Sequence, residues 1–306
     1  MIARLTRFMI LLQLMTLAAV SLLFLQLGVF SALPYALLTS ALLLMLLRAF
    51  IIFNNYFLSH ALRQPLANGS SAPAWPLMRR MLQEFYWSLV CWFRLFPLAR
   101  ARVVHFDRSQ HLPVLMLHGY GANSGFWQSY SEALSHQCIS HATLDLEPLL
   151  ADIDDYAPLI EDAVETLCKT TGTAHIILLC HSMGGLAARA WLRLHGSERV
   201  AKIVTLGTPH FGSTLASYGM GINARQMIYA PENTGSWLAQ LDQSEDAELR
   251  ALFVSFYSRH DNIVSPQHSA ILPGACNMSL DLIGHVALGF DTGVRQAVLK
   301  QINVSR

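Results

Sequence analysis

The stretch "IILLCHSMGG" at residues 176–185 decides how this chain folds. Its aliphatic run is typical of a strand buried on both faces, and a polar His181-Ser182 pair follows where the strand ends. Two glycines then open a segment with helical periodicity. A serine between such a strand and helix takes a strained conformation, so the residues two before and two after it must be small. Gly184 meets that requirement and Cys180 meets it with less room, which predicts a nucleophile at Ser182.

Ser182 by itself has an ordinary alternative interpretation, a serine at a strand-to-helix turn or helix cap. From about residue 102 onward, however, short aliphatic runs alternate with helix-like segments such as Tyr156 to Thr170 and Met183 to His195. This alternation predicts an α/β fold with a mostly parallel sheet covered by helices on both faces. Functional residues are then expected at the carboxyl ends of the strands. The predicted strands are "PVLMLH", "CISHATLDL", "AHIILLC", "AKIVTLG", "ALFVSFYS" and "MSLDLIG".

Three further strand ends carry conspicuous polar or glycine residues. The loop "HGYG" at residues 118–121 can aim backbone N–H groups at a developing oxyanion. Asp261 follows the strand "ALFVSFYS", and His285 follows "MSLDLIG". Each has an ordinary alternative, a turn residue or helix cap for Asp261 and a loop histidine for His285. Their joint occurrence at strand ends, in the order Ser, Asp, His, favours a catalytic triad.

Together these motifs resemble the α/β-hydrolase superfamily over about residues 112–290. The resemblance is carried by "LMLHGYGANSGFW", "LLCHSMGGLAAR", "TLGTPHFGS", "SRHDNIV" and "GHVAL". It is nearest to bacterial lipases and esterases, in the region that includes class 2 lipases and GPI-inositol deacylase-like proteins. It implies an α/β-hydrolase fold, with Ser182 as nucleophile, His285 as general base and then acid, and Asp261 orienting His285.

The same resemblance implies that the backbone N–H groups of Tyr120 and Met183 form the oxyanion hole. It implies hydrolysis of carboxylic esters, those of lipids or other apolar acyl groups, through an acyl-enzyme. Open alternatives are a phospholipase or acyltransferase with the same triad, or a noncatalytic membrane protein on a hydrolase scaffold. The loop "GTPHFGS" favours a lipase, and we expect its His210 to be structural or pocket-lining. Residues 213–250 form a candidate cap over the pocket or, alternatively, two plain packing helices.

Two apolar runs precede this region, from Phe8 to Phe30 and from Ala32 to Phe53. Each has the roughly 20 residues that a helix needs to cross a bilayer, so residues 1–55 are predicted to form a transmembrane helical hairpin. A secretory signal peptide is the alternative. Basic residues flank the spans and are missing from their short connection, which predicts that both ends and the catalytic domain lie on the cytoplasmic side of a bacterial inner membrane. These basic residues are Arg4, Arg7, Arg48 and Arg63.

Residues 56–101 are predicted to be a linker and a juxtamembrane amphipathic helix, and residues 102–306 the catalytic domain. The linker is "NGSSAPAWP" at 68–76. In the helix that follows, Trp87, Trp92 and Phe93 either dip into lipid or pack on the catalytic domain.

Composition narrows the function further. Of 306 residues, 53% are hydrophobic and 13% charged, and the net charge of +1 without a basic block gives no indication of a nucleic-acid partner. The five cysteines are an odd number without a CxxC pair, which favours reduced thiols. The 13 histidines are scattered without metal-ligand spacing, so we expect no metal and no cofactor. The expected partners are an apolar acyl ester and a membrane.

Overall fold

The computed structural model describes residues 1–61 and 74–303, so the predicted linker at 68–76 lies outside the described residues except for its last three. It begins with two long helices, α1 (Ile2–Gln26) and α2 (Leu33–Ala61). They pack side by side, and the Ser21 hydroxyl donates to the Ser40 hydroxyl at 3.0 Å between them. Both are long and apolar enough to cross a membrane, judged by length and composition. Because a helix of 29 residues is about 43 Å long, α2 exceeds the roughly 30 Å of a hydrocarbon core.

A third helix joins this pair to the C-terminal region. It comprises α3 (Ala74–Val90), a π-helical turn (Cys91–Leu95) and the short α4 (Phe96–Leu98). The ring of Trp87 stacks on Phe290 with centroids 4.5 Å apart, so this part of α3 contacts the C-terminal region. Trp92 lies 5.0 Å from the guanidinium of Arg48 on α2.

The C-terminal region is built on a seven-stranded sheet in the order β1-β3-β2-β4-β5-β6-β7. All neighbouring strands are parallel except β1, which is antiparallel to β3. The predicted mostly parallel sheet is confirmed. Its strands are β1 (Val103–Val104), β2 (Val114–Leu117), β3 (His141–Leu144), β4 (Ile176–His181), β5 (Val200–Leu206), β6 (Phe253–Ser258) and β7 (Cys276–Leu280).

Helices cover both faces of this sheet. Successive side chains of a strand point in opposite directions, so a strand that is apolar throughout has two faces to bury. On β4, Leu178 packs with Ile160 and Trp191 on one face, while Leu179 packs with Phe256 and Val298 on the other. The remaining helices are α5 (Gln128–His136), α6 (Ala157–Thr171), α7 (Met183–His195), α8 (Ile222–Gln226), α9 (Trp237–Gln243), α10 (Ala247–Ala251) and α11 (Thr292–Ile302).

This topology fixes where polar side chains can meet. Strands β2, β4 and β6 are parallel, so their carboxyl ends lie along one edge of the sheet. The loops at residues 118–121, 182 and 261, and the loop after β7 at residue 285, follow these ends. The predicted site residues therefore share one edge.

Candidate active site

Ser182 occupies a strained elbow between β4 and α7. Its backbone angles are φ 54° and ψ −127°, a region that residues with a side chain rarely adopt and that costs about 1–3 kcal/mol. A methyl group on Gly184 would overlap the Leu117 carbonyl oxygen and lie 2.7 Å from the His118 carbonyl oxygen, so only glycine fits there. Cys180 is completely buried in the core beneath the elbow. The steric rule that singled out this stretch in the sequence matches the observed backbone.

His285 and Asp261 form a buried hydrogen-bonded pair, with Nδ1 of the histidine 2.8 Å from Oδ2 of the carboxylate. The other carboxylate oxygen accepts from the backbone N–H groups of Ile263 and Val264, both at 2.8 Å. Burial lowers the pKa of His285, but the neighbouring Asp261 carboxylate raises it, and the net shift is upward. The carboxylate is thus aimed at Nδ1, which leaves Nε2 as the free nitrogen of the ring.

The loop at 118–121 lies against Ser182. A methyl group on Gly119 would come within 2.7 Å of the Ser182 Cβ. Nε2 of buried His118 accepts from Leu146 N–H at 2.9 Å, so Nδ1 carries the proton and donates to the Gly119 carbonyl, also at 2.9 Å. Burial lowers the pKa of His118, in keeping with this neutral form. The histidine of the "HGYG" motif therefore fixes the loop.

Two backbone N–H groups are available to a bound substrate beside this loop. Within the part of the chain that the structure describes, neither the Tyr120 nor the Met183 N–H donates a hydrogen bond to a protein acceptor. The side-chain hydroxyl of Tyr120 is engaged elsewhere, donating to the Met220 carbonyl at 2.8 Å. The two amides predicted to hold an oxyanion are free to do so.

Several residues around His285 were missed by sequence reasoning. His181 donates from Nε2 to the His285 carbonyl at 3.1 Å and stacks on Phe126. Burial, with a smaller contribution from His285, lowers the pKa of His181 well below its usual value, so its ring is neutral. Asn262 accepts from the His285 N–H at 2.9 Å. In the sequence, the one signal for His181 and Asn262 was that they directly adjoin Ser182 and Asp261, respectively.

Glu84 was also missed, and it comes from α3 rather than from the sheet. Its carboxylate is 1% exposed and accepts from the N–H groups of Val286 and Ala287, directly after His285. His210, in contrast, is buried with Nε2 3.2 Å from the Ser255 hydroxyl, which agrees with the structural role expected for it.

Two cavities open at Ser182, and α2 forms a wall of both. The larger cavity, about 550 Å³, is lined by Asn54 and Leu58 of α2, by Ser182 and by residues of the segment 213–227. The smaller cavity, about 400 Å³, is bounded by Arg48 and Ile52 of α2, by α3 and its π-helical turn, and by Ser182 and His285. In the sequence α2 was predicted only as a membrane span. The shared lining residues are Ile51, Tyr120, Ser182 and Ile263.

The segment 213–250 has one part that lines the larger cavity and another that packs in the core. Leu215 and Ala224 line the larger cavity, as does Met227 at the end of α8. Leu238 and Leu241 on α9 are buried in the core of the sheet domain. The candidate cap thus supplies one part of the cavity wall, and α2 supplies another.

Comparison with known proteins agrees with this architecture. A family model described as the alpha/beta hydrolase fold matches residues 113–227. Mature lipase BlEst2 of Bacillus licheniformis superposes with a TM-score of 0.54 at 20% identity, over 67% of this chain and 98% of that one. The chain has the α/β-hydrolase fold. Lipase B of Aspergillus fumigatus superposes with a TM-score of 0.55 at 14% identity, over 67% of this chain and 56% of that one.

A similarity in sequence links about a third of this chain to an esterase. The pimeloyl-[acyl-carrier protein] methyl ester esterase of Vibrio cholerae serotype O1 is 30% identical over 101 residues. The match takes in 33% of this chain and spans 38% of the length of that relative. The resemblance to GPI-inositol deacylase-like proteins stays a prediction.

Proposed function

We propose that this protein is a membrane-anchored serine hydrolase that cleaves carboxylic esters of lipids or other apolar acyl groups. The observation that carries the proposal is the meeting of strained Ser182 and the buried Asp261–His285 pair at one cavity. Strained serines and buried acid–histidine pairs are the parts that nucleophilic acyl transfer requires.

The reaction follows from these positions. His285 Nε2 takes the proton of the Ser182 hydroxyl as its oxygen attacks the ester carbonyl carbon. The N–H groups of Tyr120 and Met183 hold the resulting oxyanion, a contribution typically worth about 10²–10³-fold in kcat per donor. His285 then gives its proton to the departing alcohol. A water molecule, deprotonated by the same imidazole, then attacks the acyl carbonyl carbon. His285 returns that proton to the Ser182 oxygen as the acyl–oxygen bond breaks, which releases the acid.

An apolar acyl group is supported by the walls of the larger cavity. The larger cavity is lined chiefly by aliphatic residues, and about 550 Å³ accommodates an acyl chain of moderate length. Its walls include Leu58 of a helix long and apolar enough to span a membrane. We place α1 and α2 in a bacterial inner membrane with the hydrolase region on the cytoplasmic side, because basic residues flank both spans.

Covalent labelling tests the proposal directly. The full chain, solubilised in detergent, should react with a fluorophosphonate probe and hydrolyse p-nitrophenyl butyrate. Both activities should disappear in Ser182→Ala, with a loss of several orders of magnitude in kcat, and should persist in Ser217→Ala, which changes an exposed serine. A folded wild-type protein that neither labels nor cleaves any short-chain ester would refute the assignment.

A further inference from the structure

An ester bound at Ser182 has to extend in two directions, and the two cavities provide them. The acyl part lies on one side of the carbonyl carbon and the alcohol part on the other. In the mechanism proposed above, His285 donates a proton to the alcohol oxygen, so the alcohol must lie on the side of that imidazole. His285 lines the smaller cavity and is not among the described residues that line the larger one. The smaller cavity is therefore the alcohol side, and the larger cavity receives the acyl chain.

The alcohol side carries a positive charge. Arg48 lines the smaller cavity, with its guanidinium 5.0 Å from the ring centroids of both Trp92 and Phe93. Its Nη2 donates to the neutral Gln13 side chain at 3.0 Å. Among the residues that the structure describes, no carboxylate lies within 4.0 Å of Arg48, and no aspartate or glutamate lines this cavity.

A half-buried cation without an acidic partner is costly unless something supplies an anion. Guanidinium is planar and presents paired N–H donors, a geometry that matches phosphate oxygens. The rings of Trp92 and Phe93 beside Arg48 restrict the arginine, and a restricted donor loses little entropy when it binds.

We propose that the smaller cavity binds an alcohol bearing a phosphate group, which Arg48 recognises, so that the substrates are acyl esters of phosphate-containing alcohols. The proposal rests on the proposed ester hydrolase function and adds the chemical class of the leaving group. Arg48 is a specificity-determining residue in this scheme, while the bond broken and the proton transfers remain those of Ser182 and His285.

Matched substrates test it. The full chain in mixed detergent micelles is given 1-decanoylglycerol and 1-decanoylglycerol 3-phosphate at equal mole fractions. Because hydrogen bonds to charged groups are worth more than neutral ones, wild type should favour the phosphate ester by about 10–100-fold in kcat/KM. Arg48→Gln should lower that ratio to near unity and Arg48→Lys should retain part of it. Arg94→Gln, which changes an exposed arginine, should keep the ratio.

The outcomes separate this proposal from the one on which it rests. Equal efficiency on the two esters in wild type, or an unchanged ratio in Arg48→Gln, would overturn the role of Arg48 while leaving the hydrolase assignment intact. Failure to cleave either ester or p-nitrophenyl butyrate would overturn the hydrolase assignment itself.

A separate observation concerns the carboxylate of Glu84. Its two oxygens accept from Val286 N–H at 2.9 Å and Ala287 N–H at 2.8 Å, and thereby hold the turn that carries His285. His285, Val286 and Ala287 belong to one loop, whereas Glu84 comes from α3, about 200 residues earlier in the chain. A glutamate in a helix outside the sheet thus fixes the backbone on which the imidazole is mounted.

We infer that Glu84 is a positioning residue for His285, acting through the loop backbone and through its negative charge. The titratable groups that face the imidazole are Asp261 from the loop after β6, Glu84 from α3 and neutral His181 at the end of β4. Burial raises the pKa of Glu84, and its two backbone donors oppose that rise. Its ionised form raises the pKa of His285, as Asp261 does.

The test separates positioning from folding. Glu84→Gln keeps one acceptor oxygen and removes the charge, so kcat should fall about tenfold or more with little change in KM. The acid limb of its kcat/KM profile should move to lower pH, while Glu84→Asp should keep the wild-type limb. Glu132→Gln, at an exposed helical glutamate, is the control.

Thermal unfolding of each variant establishes how much protein is folded. A Glu84→Gln enzyme with wild-type kcat would overturn the inference. A reduced kcat with an unmoved acid limb would also overturn it, since a purely structural defect has that signature.

Discussion

Gly184 at the elbow gives the most direct prediction, because the atoms that a larger side chain would contact are known. In Gly184→Ala the new methyl group would overlap the Leu117 carbonyl oxygen and lie 2.7 Å from the His118 carbonyl oxygen. Ordinary contact begins at 3.4 Å, so the start of α7 must retreat by at least about 0.7 Å. Ser182 immediately precedes that helix and must move with it. Overpacking of this kind costs about 1–3 kcal/mol of stability.

The catalytic cost should be larger than the stability cost. A displacement near 1 Å in a reacting group lowers activity by roughly 10²-fold, so kcat/KM for p-nitrophenyl butyrate should drop by about that factor. Rates are normalised to the active sites that a fluorophosphonate titrates, and thermal unfolding is followed in parallel. Gly172→Ala is the control. Its φ of +65° gives a strain cost, but the added methyl group would meet no atom within 4 Å. Gly172 also lies at the end of α6, away from Ser182. If Gly184→Ala kept kcat/KM within threefold of wild type, the steric account of the elbow would be wrong.

Three further predictions concern Cys180, the Asp261–His285 pair and the membrane topology. Cys180→Ala should retain hydrolysis. Cys180→Leu enlarges a fully buried side chain, so this variant should lose about 1–3 kcal/mol of stability and most of its activity. An active, stable leucine variant would contradict the requirement for a small residue. Asp261 raises the pKa of His285, and in the proposed mechanism the neutral imidazole is the base. The value of kcat/KM should therefore rise with pH at a midpoint above the ordinary histidine value, and Asp261→Asn should lower both the midpoint and kcat. If exposed Asp281→Asn were the more damaging variant, the acid would have to be reassigned. Protease added to spheroplasts should leave the hydrolase region intact until the cells are lysed, and digestion before lysis would reverse the proposed topology.

Much of the fold was readable from local pattern. The alternation of buried runs and helical segments predicted the parallel sheet, and the predicted helix from Met183 to His195 matches α7. Ser182, Asp261 and His285 were found because each follows a strand, and parallel strands bring their carboxyl ends to one edge. The backbone strain at Ser182 was likewise implied by the small residues around it. These features depend on a few neighbouring residues, which the sequence displays directly.

The contributions of the N-terminal helices could not be read in this way. Nothing near Glu84 indicates that it holds a loop some 200 residues later, and its setting suggested only an amphipathic helix. Arg48 looked like a charge at the end of a membrane span, although it lines the cavity that also contains His285. In both cases the neighbouring side chains come from distant parts of the chain.

Periodicity and steric demands act over a few residues, so the amino-acid sequence was enough to predict the strand and helix pattern, the elbow at Ser182 and the order of the proposed triad residues. The lining of both cavities by α2, the place of Arg48 in the smaller cavity and the contact of Glu84 with the loop of His285 became visible only in the folded molecule. An apolar helix with a few polar residues has many surfaces on which it could pack. Which of them it covers depends on complementary packing across the whole molecule.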